Sequence, residues 1–153
     1  MATTNHTYNV IVGKLKNFAD YHLMINHFSH GDDGDMDLDK FPAYPFMHIV
    51  PESFSINKGE IAYTIRVFVL DLLREKDNMH NNAKELVSDC LQIYTDLIAT
   101  IANDDFFGDD TLVTLPASCE PVIEDGVNVL CGVVGSVTIT TDLTLDFCLV
   151  PLD

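Results

Sequence analysis

Residues 136–149 read SVTITTDLTLDFCL, and the alternation in this stretch decides the fold. The odd positions from 137 to 149 are Val, Ile, Thr, Leu, Leu, Phe and Leu, and the even ones from 136 to 146 are Ser, Thr, Thr, Asp, Thr and Asp. Successive side chains of a strand point to opposite faces, so this pattern predicts a sheet strand with one dry and one wet face. So many extended residues would span about 40 Å, which predicts a bend or an extension beyond the body. Upstream, Asn128–Val133, Ser118–Ile123 and Thr111–Leu115 also read as strands, with a turn at Glu124-Asp125-Gly126.

The N-terminal half changes period. Tyr8, Ile11, Leu15, Phe18, His22 and Ile25 recur at steps of three and four, which predicts a helix from about Thr7 to Phe28, capped by Asn5 or Thr7. Gly13 lies inside it at a cost of about 1 kcal/mol, which suggests a close packing contact. Ser29–Pro42, with two glycines and five aspartates, reads as a loop. Tyr44–Val50 is a strand bounded by Pro45 and Pro51, and Asn57-Lys58-Gly59 is a hairpin turn into a strand at Ile61–Leu73. A second helix follows at Ala83–Ala102, with Leu86, Cys90, Ile93, Leu97 and Ile101 as its apolar stripe. The order is α-β-β-α-β-β-β, an α+β fold with two helices packed on one face of a mostly antiparallel sheet that ends in a long C-terminal strand. A single domain over residues 1–153 is expected, with the loop at 29–43 and the hairpin at 118–133 as interaction extensions.

Charge narrows the function classes. The chain carries 8 Lys+Arg against 24 Asp+Glu, a net of −16. Residues 1–84 hold all eight cations and eleven acids, whereas residues 85–153 hold thirteen acids and no Lys or Arg. This argues against a broad contact with nucleic-acid phosphates and against a polybasic membrane anchor. No apolar run approaches the roughly 20 residues of a membrane span, and the start of the sequence shows no secretory signal. A reduced setting and four free thiols are expected, because Cys90, Cys119, Cys131 and Cys148 match neither a zinc nor a redox spacing. Cys119 and Cys131 flank a turn and are placed to face each other across a hairpin.

Chemistry is hard to find. The cluster Asp32, Asp33, Asp35, Asp37 and Asp39 suggests calcium, yet an EF-hand loop needs Gly at its sixth position and Glu at its twelfth. Counting from Asp33 gives Leu38 and Tyr44, and counting from Asp35 gives Lys40 and Phe46, so both registers fail. A solvated loop is the expected state, with an irregular cation site shared with a neighbouring subunit as its alternative. His22, His27 and His30 match no zinc-ligand pattern. No nucleophile elbow, phosphate loop or H-E-x-x-H is present, and Asp104-Asp105 with Asp109-Asp110 lack the aromatic cleft of a glycosidase. An enzyme is not expected, nor is a resident metal or cofactor. Asp104–Asp110 reads as another acidic loop that carries Phe106-Phe107, with burial under the second helix as one reading of the pair and an aromatic anchor for a partner as the other.

The ordered features resemble the tail-terminator and tail-completion (neck) proteins of tailed bacteriophages, particularly forms from phages of Bacteroidetes-type hosts. The resemblance lies in His22-x-x-x-Asn26-x-Phe28 followed by Gly31-Asp32, in the Tyr44-Pro45 strand start, and in the run from Tyr63 to Leu73 closing in Val69-Leu70-Asp71-Leu72. It continues in Asn81, Asn82, Ser88-Asp89-x-Leu91-Gln92-Ile93 and Asp96-Leu97-Ile98, and in the hairpin around Asp125-Gly126 and Gly132. What it implies is a structural role without catalytic residues: a homo-oligomeric ring, often of six copies, assembled in the host cytoplasm and placed in the virion. There it would end the tail tube and dock the head–tail connector. The tail-tube protein and the neck proteins would be its partners. DNA would pass through the bore without specific binding, repelled by an acidic wall. A ring needs heterologous contacts that close, and strands or hairpins supply them by sheet augmentation.

Asp32, Asp33, Asp35, Asp37, Asp39, Phe106, Phe107, Asp125 and Gly126 are the candidate partner or oligomer contacts. Another head–tail adaptor or neck ring protein fits the same features. The alternative of a different class is a small intracellular α+β enzyme or ligand-binding domain.

Overall fold

The computed structural model describes residues 8–31, 44–73, 79–108, 111–115, 117–125, 129–143, 145, 148 and 150–152. The chain forms α1 (Tyr8–Tyr21), β1 (His27–His30), β2 (Phe46–Asn57), β3 (Glu60–Leu72), α2 (Met79–Ile101), the one-turn α3 (Asp104–Phe107), β4 (Thr111–Val113), β5 (Cys119–Asp125) and β6 (Val129–Asp142). The sheet order is β1-β2-β3-β6-β4, and β5 also pairs with β6. Of these pairings, only β1 against β2 is parallel. The expected α+β architecture holds: both long helices lie on one face of a mostly antiparallel sheet that ends in a long strand.

The apolar periods explain the layers. Ile11, Leu15 and Phe18 of α1 and Cys90, Ile93, Leu97 and Ile101 of α2 are buried in one cluster with Met47, Ile49, Ile65, Val67, Val69, Val137 and Ile139 of the sheet. The opposite face is not uniformly wet. Phe46, Phe68, Leu70 and Leu130 form a second buried cluster there. Polar residues take over toward the other end of that face, where Ser136 donates to the Glu52 carboxylate at 2.7 Å and the Thr64 and Thr138 hydroxyls meet at 3.2 Å.

Besides α2 starting at Met79 rather than Ala83, and the helical turn α3 standing where a loop was expected from Asp104, four expectations about elements need correction. The first helix stops at Tyr21 rather than Phe28. Asn26 diverts the chain: its backbone N–H donates to Pro45 O at 2.9 Å, and its side-chain amide donates to Tyr44 O at 2.6 Å. This delivers residues 27–30 to the sheet as β1, so Ser29 and His30 are strand and not loop. Ser29 and the buried His48 then share a hydrogen bond of 2.6 Å across the new pair. Second, β2 continues through Pro51 to Asn57. A register shift between Pro51 and Ser53 absorbs the missing N–H, beyond the last residue of β2 paired with β1.

Third, the two strands expected at 128–133 and 137–149 are one strand of 14 residues that stops at Asp142. Gly132 and Gly135 are not breaks but close approaches. A Cβ at Gly132 would collide with Val69 O and stand 2.9 Å from Leu70 Cα, and one at Gly135 would collide with the Tyr94 hydroxyl and stand 2.7 Å from Ser118 O. Fourth, Cys119 pairs with Gly135 and Cys131 with Ile123, so these cysteines do not face each other across the hairpin. All four cysteines are free thiols, as expected.

The turn at Lys58-Gly59 is the predicted hairpin, with Gly59 at φ 96° and Asn57 opposite Glu60. No helix among the described residues is long and apolar enough to cross a membrane.

Gly13, by contrast, is open: a methyl group added there would meet nothing within 4 Å, so no close contact explains it. The two sites therefore predict opposite signs. Gly132→Ala should lower unfolding free energy by about 3 kcal/mol. Gly13→Ala should raise it by about 0.5–1 kcal/mol, since α1 gains helix propensity without a methyl clash. Urea titration of both variants against the parent chain measures the pair.

Candidate functional site

The candidate contacts fall in different environments. Asp32, Asp33, Asp35, Asp37, Asp39 and Gly126 lie outside the described residues, and Asp125 ends β5 opposite Val129. Phe107 is buried in the main core, and Phe106 is half-buried against it, with the two rings edge to face at 4.8 Å. Lys14 of α1 donates to Phe106 O at 2.6 Å, and its ammonium stands 5.7 Å and 5.9 Å from the two ring centres. The aromatic pair thus holds α1 and α3 together, and only part of Phe106 reaches the surface. Among the described residues, no group of three or more His, Cys, Asp or Glu is placed to hold a metal ion.

A cleft of about 380 Å³ lies between the end of β3 and the start of α2, lined by Tyr44, Asp71, Leu73, Asn82 and Glu85 among others. The Asp71 carboxylate at its base accepts the Leu72 N–H at 2.7 Å. A smaller, mostly apolar groove of about 280 Å³ runs between α1 and α2, lined by Phe18, Tyr21, His22, Thr100 and Phe106. At its side, His22 Nε2 and Asp96 Oδ2 meet at 2.9 Å. This hydrogen bond, helped by a second from Gln92, holds the Asp96 carboxyl below the usual carboxylate range.

The surface is most unusual at the two margins of the sheet. On one side, β1 covers β2 only as far as Ile49, so among the described residues no strand pairs with the outer edge of Pro51–Asn57. Phe54 and Ile56 are 52 % and 63 % exposed on this overhang. Phe54 is not loose: its ring lies edge to face on Tyr8 at 5.2 Å and on Tyr63 at 5.7 Å. Tyr8 in turn shares a hydrogen bond of 2.8 Å with His30. On the other side, β4 and β5 lie end to end along β6, and Leu112 and Leu115 are 68 % and 57 % exposed.

These margins were not among the expected contacts. Ser53-Phe54-Ser55-Ile56 does alternate before the Asn57-Lys58-Gly59 turn, and that was the available signal. Pro51 hid it by appearing to end the strand. Nothing in Thr111–Leu115 distinguishes an edge from a covered strand, because edge position depends on pairing across more than 25 residues of sequence.

A comparison with protein-family models finds no match for this chain, and a comparison with curated proteins finds none either.

Two measurements check the site description. The His22 bond favours ionised Asp96 in the folded state, so its contribution is complete at neutral pH and fades as pH falls through the lowered folded value. Asp96→Asn should therefore lower Tm near pH 7 and converge with the parent once pH has fallen below that lowered value. Thiol labelling of the native chain should show one fast site, the exposed Cys148. Cys90 should stay unreacted until unfolding, since burial, with lesser effects from Asp71, Asp89 and Cys131, pushes its thiol up to about 12.

Proposed function

We propose that this chain is a structural virion protein that forms a ring at the tail or neck of a tailed phage, ending the tail tube and joining it to the head connector. The observation that carries this reading is a pair of apolar margins on opposite sides of one sheet, neither covered by another strand among the described residues. A subunit with two different sticky edges makes head-to-tail contacts, and head-to-tail contacts close into rings when the rotation permits. A single self-complementary patch would instead give a two-fold dimer.

Charge supports the same arrangement. Thirteen acids without a Lys or Arg in residues 85–153 repel one another and repel DNA phosphates. A ring that turned this acidity toward its bore would let DNA pass without sticking. The resemblance to tail-terminator and tail-completion proteins supplies the partners of the proposal: the tail-tube protein on one face and the connector on the other.

Native mass spectrometry of the purified chain, alone and with the tail-tube protein of its own phage, tests the reading. The expected result is a ring-sized oligomer, with six copies as the leading stoichiometry, or a monomer that closes into one on the tube. A chain that stays monomeric at every concentration and ignores both tube and connector overturns it.

A further inference from the structure

We infer that two copies of this chain exchange residues 143–150, each laying this segment as an antiparallel strand along the uncovered edge of the other copy's β2. The contact is a two-fold one. It does not rest on the ring reading, and it uses the same β2 margin, so a pair must open before that margin can serve a ring.

β6 stops for a reason outside its own sequence. β3 begins at Glu60, opposite Asp142, and β4 begins at Thr111, opposite Thr141, so both neighbours of β6 run out together. The Leu143 N–H adds a last bond to Gly59 O at 3.0 Å. The alternation continues beyond that point: positions 143, 145, 147 and 149 are Leu, Leu, Phe and Leu, with Thr, Asp and Cys between them. β6 thus ends for want of partners, and an extended segment without partners leaves its peptide groups to water. Leu145 and Val150 are 62 % and 45 % exposed. An uncovered sheet edge is the surface on which such a segment completes its ladder.

The β2 margin fits this segment in position and direction. β1, with the Gly31 N–H on Ile49 O at 3.2 Å, closes the upper part of the edge, and among the described residues no strand pairs with the outer side of Ser53–Asn57. A strand can therefore enter only from the Lys58-Gly59 turn, which makes it antiparallel to β2. The order β2-β3-β6 sets β6 about 7 Å to one side of the midline of the β2–β3 hairpin, and the open position beside β2 lies equally far to the other side. A two-fold axis normal to the sheet on that midline carries β6 of one copy into line with the open edge of the other. The rotation keeps the helices on the same side and reverses strand direction. Since β6 runs the same way as β2, the entering strand is antiparallel as required.

Face and clearance fix the register. Phe54 and Ile56 share the helix-covered face with Tyr63 and Ile61. Odd-numbered residues of the segment continue the covered face of β6, so they must lie beside even-numbered residues of β2. Setting Cys148 beside Ser55 meets this condition and leaves about 13 Å between the facing ends of the two hairpin ladders, which is room for both turns. A register two residues tighter leaves about 7 Å, in which the turns collide. Pro151 has no N–H to donate and ends the pairing short of β1. Asp146, the one charge in residues 143–150, comes level with Asn57 and beside Lys58 of the other copy. Cys148 lies in a helical turn in the single copy, so pairing straightens the segment.

Ser55→Cys supplies the test, because the register sets that position beside Cys148 of the other copy. Oxidation with diamide, which takes up the two thiol hydrogens as the disulfide forms, should give a covalent dimer at least about tenfold faster than in the parent chain. Adding Cys148→Ser should abolish the gain, and adding Ile56→Lys, which blocks the edge, should return the rate to that of the parent. Circular dichroism melts establish that each variant folds. A cross-link no faster than in the parent overturns the exchange, as does one closed within a single copy. So does a dimer indifferent to Cys148→Ser or to Ile56→Lys, or a parent chain that stays monomeric at the highest concentration it tolerates. Ring closure on tail-tube protein is read separately by native mass spectrometry: rings without the cross-link remove the exchange and leave the phage reading, and the cross-link without tube binding does the reverse.

Discussion

Everything in this molecule hangs on the pairing of β6 along both its edges. β3 follows it from Glu60↔Asp142 to Leu72↔Leu130, and β5 and β4 share its other side. A buried strand must place every peptide group in a ladder, because an unpaired buried N–H or C=O costs about as much as a lost hydrogen bond or more. Flanked on both sides, β6 meets that demand, and the helices then need only cover its odd-numbered face. The demand also explains two glycines. The backbones of β3 at Val69 and of the Ser118 segment come so near that positions 132 and 135 have no space for a methyl group. Tyr94 of α2 uses the missing side chain of Gly135 to lie close on the sheet. Its hydroxyl is left buried without a hydrogen-bond partner among the described residues, and burial is the larger of the two effects that push it up to about 12.

The legible part of the sequence was the part governed by local period. The stripe Cys90, Ile93, Leu97, Ile101 and the alternation Ile61 to Val69 each point to a single face, and each face is where the core lies. What escaped was set by contacts distant in sequence. Phe28 continues the helical spacing of α1, yet Asn26 hydrogen bonds two residues near the start of β2 and turns the chain into a strand. Gly135 looks like a breaker until the Tyr94 ring is placed beside it. Pro51 looks like a terminus until the register shift beside it is seen. In each case a residue whose intrinsic preference argues one way is overruled by a partner from another element. The candidate contacts divided likewise: Phe107 went to the core because apolar area is worth more buried, whereas the exposed margins depend on which strand has no neighbour.

The molecule handles solubility unevenly. Acidic residues mark β5 and populate the second half of the chain, while the uncharged edges sit together at one end of the sheet. An even distribution of charge would have protected every edge. The charge therefore opposes contact through the acidic surfaces more strongly than through the uncharged stretches 53–57 and 111–115.

The size of β4 carries one more consequence. It is three residues long, and apart from its ladder to β6 it is steadied by a Thr111–Thr141 hydroxyl contact of 3.4 Å and by the Thr114 N–H on Thr138 O at 3.0 Å. So short a strand belongs to the low end of local opening free energies, far below the long β3–β6 ladder. Amide protons at 111–114 would then exchange with solvent long before those of β6, in a free copy. A frayed edge is a poor template for another strand. Any strand that paired there would have to order β4 as well, so such binding and the last step of folding would form one equilibrium.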